Sequence, residues 1–272
     1  MDDAMQSVCA AWLAESRALA ALCGAMDGAE WHAPTDFYGW TPWDEIAHLF
    51  FFDETAAQAL ADPAGFERDK RALEEALASG RSMREIAQER FGLLDGTALL
   101  RQWTGCNEAL CASLSGLDAK ARLPWYGPSM SARSFVTARL METWAHGQDI
   151  HDLLGRAHES GAALHPIAHL GVTTYAWTFV NRKLAPPQPV PYVELEAPDG
   201  SRWTWGEPSE RDYVKGPAQD FVLLVTQRRH RLDTRLRWAG ASAQQWTLLA
   251  QCFAGEAADG PAPGMRGRRE PC

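Results

Sequence analysis

The sequence predicts a mainly α protein: a four-helix bundle with extra helices, followed by a small α+β domain. Two observations carry this. Up to about residue 157, apolar residues recur at three- and four-residue spacing behind helix-start signals. From about residue 165, the texture changes to a proline-rich break, short strand-like runs around a Pro-Asp-Gly turn, and further helices. The expected organisation is a bundle over 1–157, an α+β domain over 163–256 and a disordered tail over 257–272.

The elements follow in order. A first helix is expected over 5–23, with Val8, Trp12, Leu19 and Leu22 on one face. A second begins at Thr41, a cap followed by Pro42 in the first turn and Asp44 three residues on, and runs to about residue 60. The charged stretch 66–77 reads as a helix with one solvated face, and Ser82-x-x-Glu85 is a second capping box. A third long helix is expected over 96–114, then a loop over 123–128, then the long helix that carries Glu142 and His146. Beyond it come a helix over 165–181, strands over 190–195 and 201–205, and a helix over 218–228 opened by Gly216-Pro217. A strand over 234–238 and a last helix over 243–254 complete the domain. The Gly-, Pro- and Arg-rich composition from residue 255 on predicts disorder.

Composition narrows the function. With 272 residues, 46% of them hydrophobic, the chain can bury a real core. A net charge of -9 argues against general nucleic-acid binding, which normally shows a basic face. No stretch of about 20 apolar residues could cross a membrane, and an acidic Met1-Asp2-Asp3 start is unlike a signal peptide. Six scattered cysteines with no C-x-x-C pair read as reduced thiols of a cytoplasmic protein. No P-loop, G-x-G-x-x-G or G-x-S-x-G motif is present.

The candidate chemistry sits on two helices. Glu142 and His146 are four residues apart and share a helix face, so a carboxylate and an imidazole can grip one ion. His48 lies among apolar neighbours on the second helix and would meet them across the bundle core, where such sites are built. Two His and one Glu, with a position left for water, form a common ligand set for catalytic zinc. Asp149, three residues past His146, reads as an acceptor behind a ligand imidazole, an aid to proton transfer, or an ordinary helix-face carboxylate. Asp44 is explained by capping, and His151 by the negative end of its helix. Arg228 and Arg229, in a basic run at a helix end, read as a carboxylate clamp or as a solvated C-terminus. Trp40, Trp43, Trp125 and Tyr126 flank loops and would line a pocket mouth or pack in the core.

The segment 43–50 with His48, followed by Glu142-x-x-x-His146-x-x-Asp149, resembles the DinB-like metal-binding bundle superfamily. Within it, the chain is most similar to the mycothiol-dependent maleylpyruvate isomerase family, and closest to an uncharacterised metal-binding branch. Residues 214–225 resemble part of that family's small sterol-carrier-like C-terminal domain. The resemblance implies a divalent metal, zinc by ligand type, held by His48, Glu142 and His146, and a low-molecular-weight thiol such as mycothiol as cosubstrate. It implies an isomerase or transferase acting on a small, electrophilic, carboxylated metabolite, as a monomer or homodimer. A metal-dependent hydrolase using metal-activated water, or a non-enzymatic protein binding a metal and a small ligand, fits the same residues.

Overall fold

A computed structural model describes residues 3–268, apart from the side chains of Asp3, Gly127 and Pro128. The chain forms two compact units, Met1–Leu153 and Leu154–Cys272.

The first unit contains α1 (Asp3–Gly24), α2 (Pro42–Ala61), α3 (Pro63–Ala78), α4 (Met83–Phe91), α5 (Gly96–Ser115) and α6 (Ala132–Leu153). The four long helices α1, α2, α5 and α6 make the bundle: α1 and α2 each pack against both α5 and α6. The two short helices α3 and α4 lie between the second and third long members in sequence and pack on α2. Residues 123–128, expected as a loop, instead join a hairpin of β1 (Arg122–Trp125) and β2 (Gly127–Ser131) with an irregular register. Pro124 and Pro128 read as strand breakers, but prolines are tolerated where a two-stranded ribbon has free edges.

The start of α2 is fixed by side chains. The Thr41 hydroxyl accepts from the Asp44 backbone N–H, and the Asp44 carboxylate accepts from the Thr41 N–H at 2.9 Å. Arg84 of α4 lies 2.8 Å from Asp44, and Gln88 donates to its other oxygen at 2.9 Å. Burial works against the charge on Asp44. The Thr41 N–H, Arg84, the Thr41 hydroxyl and Gln88 outweigh it and hold the carboxyl below its usual range. Its folded pKa therefore lies below the unfolded value of about 3.9, and the stability it contributes is present above that pH and lost as pH falls through the folded value. Asp44→Asn is expected to lower stability by about 1–2 kcal/mol at neutral pH. In urea titrations, that penalty should shrink as pH falls through the folded value.

Deeper in the bundle, Asp53 of α2 is fully buried and accepts from Arg139 Nε of α6 at 2.9 Å. Trp103 Nε1 and Asn107 Nδ2 of α5 each donate to it at 3.0 Å. One carboxylate thus ties three helices. One turn further along α6, Trp12 Nε1 of α1 donates to Thr143 Oγ1 at 3.0 Å. Together these bonds fix the rotation of α6 about its axis, and so the direction of Glu142 and His146.

The second unit contains α7 (Leu164–Thr173) and α8 (Tyr175–Val180), which replace the single helix expected over 165–181. It continues with β3 (Tyr192–Glu196), β4 (Arg202–Trp205), β5 (Tyr213–Pro217), α9 (Ala218–Val225), β6 (Arg237–Ala239) and α10 (Ala241–Leu249). The sheet order is β4-β3-β5-β6, with β3 antiparallel to β4, parallel to β5, and β5 antiparallel to β6. Val193, Leu195 and Val214 of the sheet are buried, as are Phe221, Val222 and Trp246 of the helices. Strand β5 was not anticipated: Gly216-Pro217 ends a strand and caps α9 rather than following a loop. Of the stretch expected to be disordered, residues 255–268 carry no helix or strand but are hydrogen-bonded to their unit, and 269–272 lie outside the described residues. Gln227 donates to the Ala258 carbonyl at 2.6 Å, and Arg266 donates to the Gln227 carbonyl at 2.8 Å. No helix among the described residues is long and apolar enough to cross a membrane.

Candidate metal centre

The cap at Thr41 sets His48 two turns into α2, and the Asp53 and Thr143 bonds turn α6 toward it. His48, Glu142 and His146 consequently offer one ligand atom each, all within 4.8 Å of one another. Glu142 Oε2 lies 3.4 Å from His146 Nε2 and 3.9 Å from His48 Nε2. Donors around a tetrahedral zinc at its usual bond lengths stand roughly 3.3–3.4 Å apart, so the Glu142–His146 pair already has that spacing and the Glu142–His48 pair is about half an ångström wider. The donor set, two imidazoles and a carboxylate, is the kind that zinc takes. The residues present therefore fit a divalent metal.

Their electrostatics agree. Burial disfavours a charge on Glu142, yet hydrogen bonds and positive charge from His146 and His48 hold its carboxyl well below the usual carboxylate range. Glu142 is an anion at neutral pH and is 24% exposed, whereas the His146 side chain is 5% exposed. The ligand set therefore has an open side at Glu142 and a closed side behind His146.

Behind His146 stands a carboxylate that the sequence reading did not single out. Glu45, in the first turn of α2 and fully buried, places Oε2 at 2.5 Å from His146 Nδ1. Its other oxygen accepts from Thr35 Oγ1 at 3.3 Å. The signal available was the pattern Glu45-x-x-His48, which puts both residues on one face of α2. Asp149, for which that position is one of three sequence readings, is also buried, and its carboxylate groups with Glu45 and His146 within 4.8 Å.

Aromatic rings close the surroundings. The segment 35–40 folds back on itself through a bond from the Thr35 N–H to the Trp40 carbonyl at 2.7 Å. A left-handed turn at Tyr38 and Gly39, with φ of 50° and 69°, makes that reversal possible. It lays the Trp40 ring parallel to His146 at 5.9 Å and against His48 at 5.3 Å, and sets Phe37 edge-on to His146. Phe52, one turn beyond His48, packs on it at 4.8 Å and on Tyr126 of the hairpin turn at 5.6 Å. Burial pushes the Tyr126 phenol up to about 12, so it stays neutral. Trp43 and Trp125 belong to the packing instead: Trp43 donates to the Leu94 carbonyl, and Trp125 stacks on Phe66.

Arg228 and Arg229 belong to the second unit. The helix expected to reach residue 228 ends at Val225, and Gln227 turns the chain with φ of 58°. Arg228 is buried and donates from Nη1 to the Thr226 carbonyl at 2.9 Å. Arg229 is half-buried and lines a cleft of about 340 Å³ with His230 and Arg231.

Comparison with known proteins shows the family. The family model described as the mycothiol maleylpyruvate isomerase N-terminal domain matches residues 12–151, a span that includes all three proposed ligands. Uncharacterised proteins from two strains of Mycobacterium tuberculosis are each 38% identical over 242 residues, 89% of this chain and 93% of theirs. The fold is similar to the crystal structure of a mycothiol-dependent maleylpyruvate isomerase, at 14% identity and a TM-score of 0.52, covering 81% of this chain and 88% of that one. A histidine-to-alanine mutant of that enzyme matches at 13% identity and a TM-score of 0.53, with the same coverage.

Proposed function

Because the chain belongs to the mycothiol maleylpyruvate isomerase family, we propose that it is a metal-dependent, thiol-using isomerase or transferase of a small electrophilic metabolite. The observation that supports this most is the convergence of His48, Glu142 and His146 from two helices, with an ionised carboxylate on the open side. Zinc is the metal that this ligand set favours. When bound, the metal would supply a thiolate at neutral pH by lowering the pKa of the cosubstrate thiol.

The chain's own residues do the rest. His48 and His146 would supply imidazole nitrogens to the metal, and Glu142 a carboxylate oxygen. Trp40, Phe37 and Phe52 limit water around the imidazoles, which strengthens every charge interaction at the site. Asp149, being buried, suits a role behind the imidazole better than contact with substrate. The thiol would add to an activated double bond of the substrate, rotation would follow, and the thiol would leave unchanged, so that it is not consumed in isomerisation. A transferase outcome would retain it in the product.

For a carboxylated ligand, Arg229, on the second unit's own cleft, is the proposed anion partner, whereas Arg228 is buried against the Thr226 carbonyl. Arg229→Ala is expected to weaken binding of a small carboxylate about tenfold with little change in metal content, as loss of one charge-assisted hydrogen bond would. Equilibrium titration beside elemental analysis checks this.

The functional reading is tested by turnover of cis-unsaturated dicarboxylic and keto acids, followed by NMR, with no thiol, with mycothiol and with other small thiols. Isomerisation or adduct formation that needs both metal and thiol is expected. Turnover by the metal-loaded protein without thiol, giving hydrolysis products, would replace this reading with a hydrolase.

A further inference from the structure

Glu45 is a fully buried carboxylate, an arrangement that is unfavourable unless the charge is paired and hydrogen-bonded. Both its oxygens are engaged, Oε2 with His146 Nδ1 and Oε1 with Thr35 Oγ1. The 2.5 Å contact needs a proton between Oε2 and Nδ1, and with Glu45 as the acceptor that proton sits on Nδ1 of His146. That leaves Nε2 as the nitrogen facing Glu142. His48 differs: its Nδ1 is buried and has no hydrogen-bond partner among the described residues. One imidazole of the pair is therefore gripped from behind, whereas Nδ1 of the other has no such partner and its ring packs against Trp40 and Phe52.

We propose that Glu45 is the positioning residue of the site: it fixes the ring of His146 and its proton on Nδ1, so that Nε2 is presented to the metal. The proposal deepens the functional reading above and rests on its metal site. Glu45 lies 101 residues from His146 in sequence and on the other ligand helix, so its bond also clamps α2 to α6 at the level of the site. A carboxylate on the distal nitrogen raises the basicity of a ligand imidazole, and such partners are worth about 10–100-fold in metal affinity. The loop that covers the site is tied into the same arrangement, since Thr35 bonds both Glu45 and the Trp40 backbone.

The experiment uses full-length wild type, Glu45→Gln and Glu45→Asp. Glu45→Gln keeps the volume and a hydrogen-bonding oxygen but removes the charge. Zinc affinity is read by competition with a chromophoric chelator, and the fold by thermal melting of metal-free protein. The Nδ1–H proton of His146 is read in histidine-labelled protein by NMR, assigned by its absence in His146→Ala. In wild type, a far-downfield Nδ1–H resonance is expected. In Glu45→Gln, that resonance should move upfield or exchange away, and zinc affinity should fall about 10–100-fold. Glu45→Asp, which keeps the charge with a shorter reach, should lie between. A Glu45→Gln protein that retains either the wild-type resonance or the wild-type affinity would overturn the proposal. If wild type takes up no zinc at all, the functional reading fails separately, and the resonance alone decides the role of Glu45.

Discussion

Arg139→Met is expected to lower the stability of the protein by about 3–5 kcal/mol, the usual effect of stripping one partner from a buried ion pair. Arg139 and Asp53 are 2.9 Å apart with side chains 4% and 0% exposed, so no solvent replaces the lost guanidinium. The stranded carboxylate would still face Trp103 and Asn107, which donate hydrogen bonds but carry no charge. A loss of that size is a large part of the 5–15 kcal/mol available to an ordinary domain. Restoring neutrality should recover part of it. In the Arg139→Met background, Asp53→Asn removes the buried charge while keeping an acceptor oxygen for Trp103. Chemical denaturation of wild type and the two variants forms the test. A penalty below about 1 kcal/mol for Arg139→Met would mean that the pair is not sealed in the bundle core.

The second large effect concerns the ligands themselves. His48→Ala, Glu142→Ala and His146→Ala should each reduce zinc affinity by more than the ~10–100-fold typical of residues that only support a ligand. Each should abolish measurable turnover at micromolar zinc. These losses should occur without loss of fold, because none of the three belongs to the Asp53 or Thr143 bonds that hold the helices in place. His146→Ala also leaves Glu45 buried without its imidazole, so it should be the least stable of the three, by about 1–3 kcal/mol. Equal melting temperatures for all three would contradict that role for the Glu45–His146 bond.

Much of the site was legible because its signals are local. Glu142 and His146 share a helix face by spacing alone, and the Thr41-Pro42-x-Asp44 cap fixed where α2 begins, hence the phase of His48. Glu45 escaped notice because its partner is on another helix; a carboxylate beside a capping Asp looks like any first-turn acid. The four bundle helices are visible as amphipathic periods, whereas β5 is not. Its parallel pairing to β3 joins residues about twenty apart, and Gly216-Pro217 carries a helix-start signal that is also true of α9. The hairpin of β1 and β2 was hidden by its prolines. The segment 255–268 has the composition of a tail, but the side chains of Gln227, Gln251 and Arg182 in the preceding structure bond its backbone. Such bonds to loop backbone leave no periodic trace in sequence.

The most direct test of the central claim is the metal content of tag-free wild-type protein by elemental mass spectrometry, before and after reloading with divalent metals. The account predicts close to one zinc per chain, retained through gel filtration. A folded protein that holds no divalent metal even after reloading would contradict it, and would leave His48, Glu142 and His146 as a structural cluster.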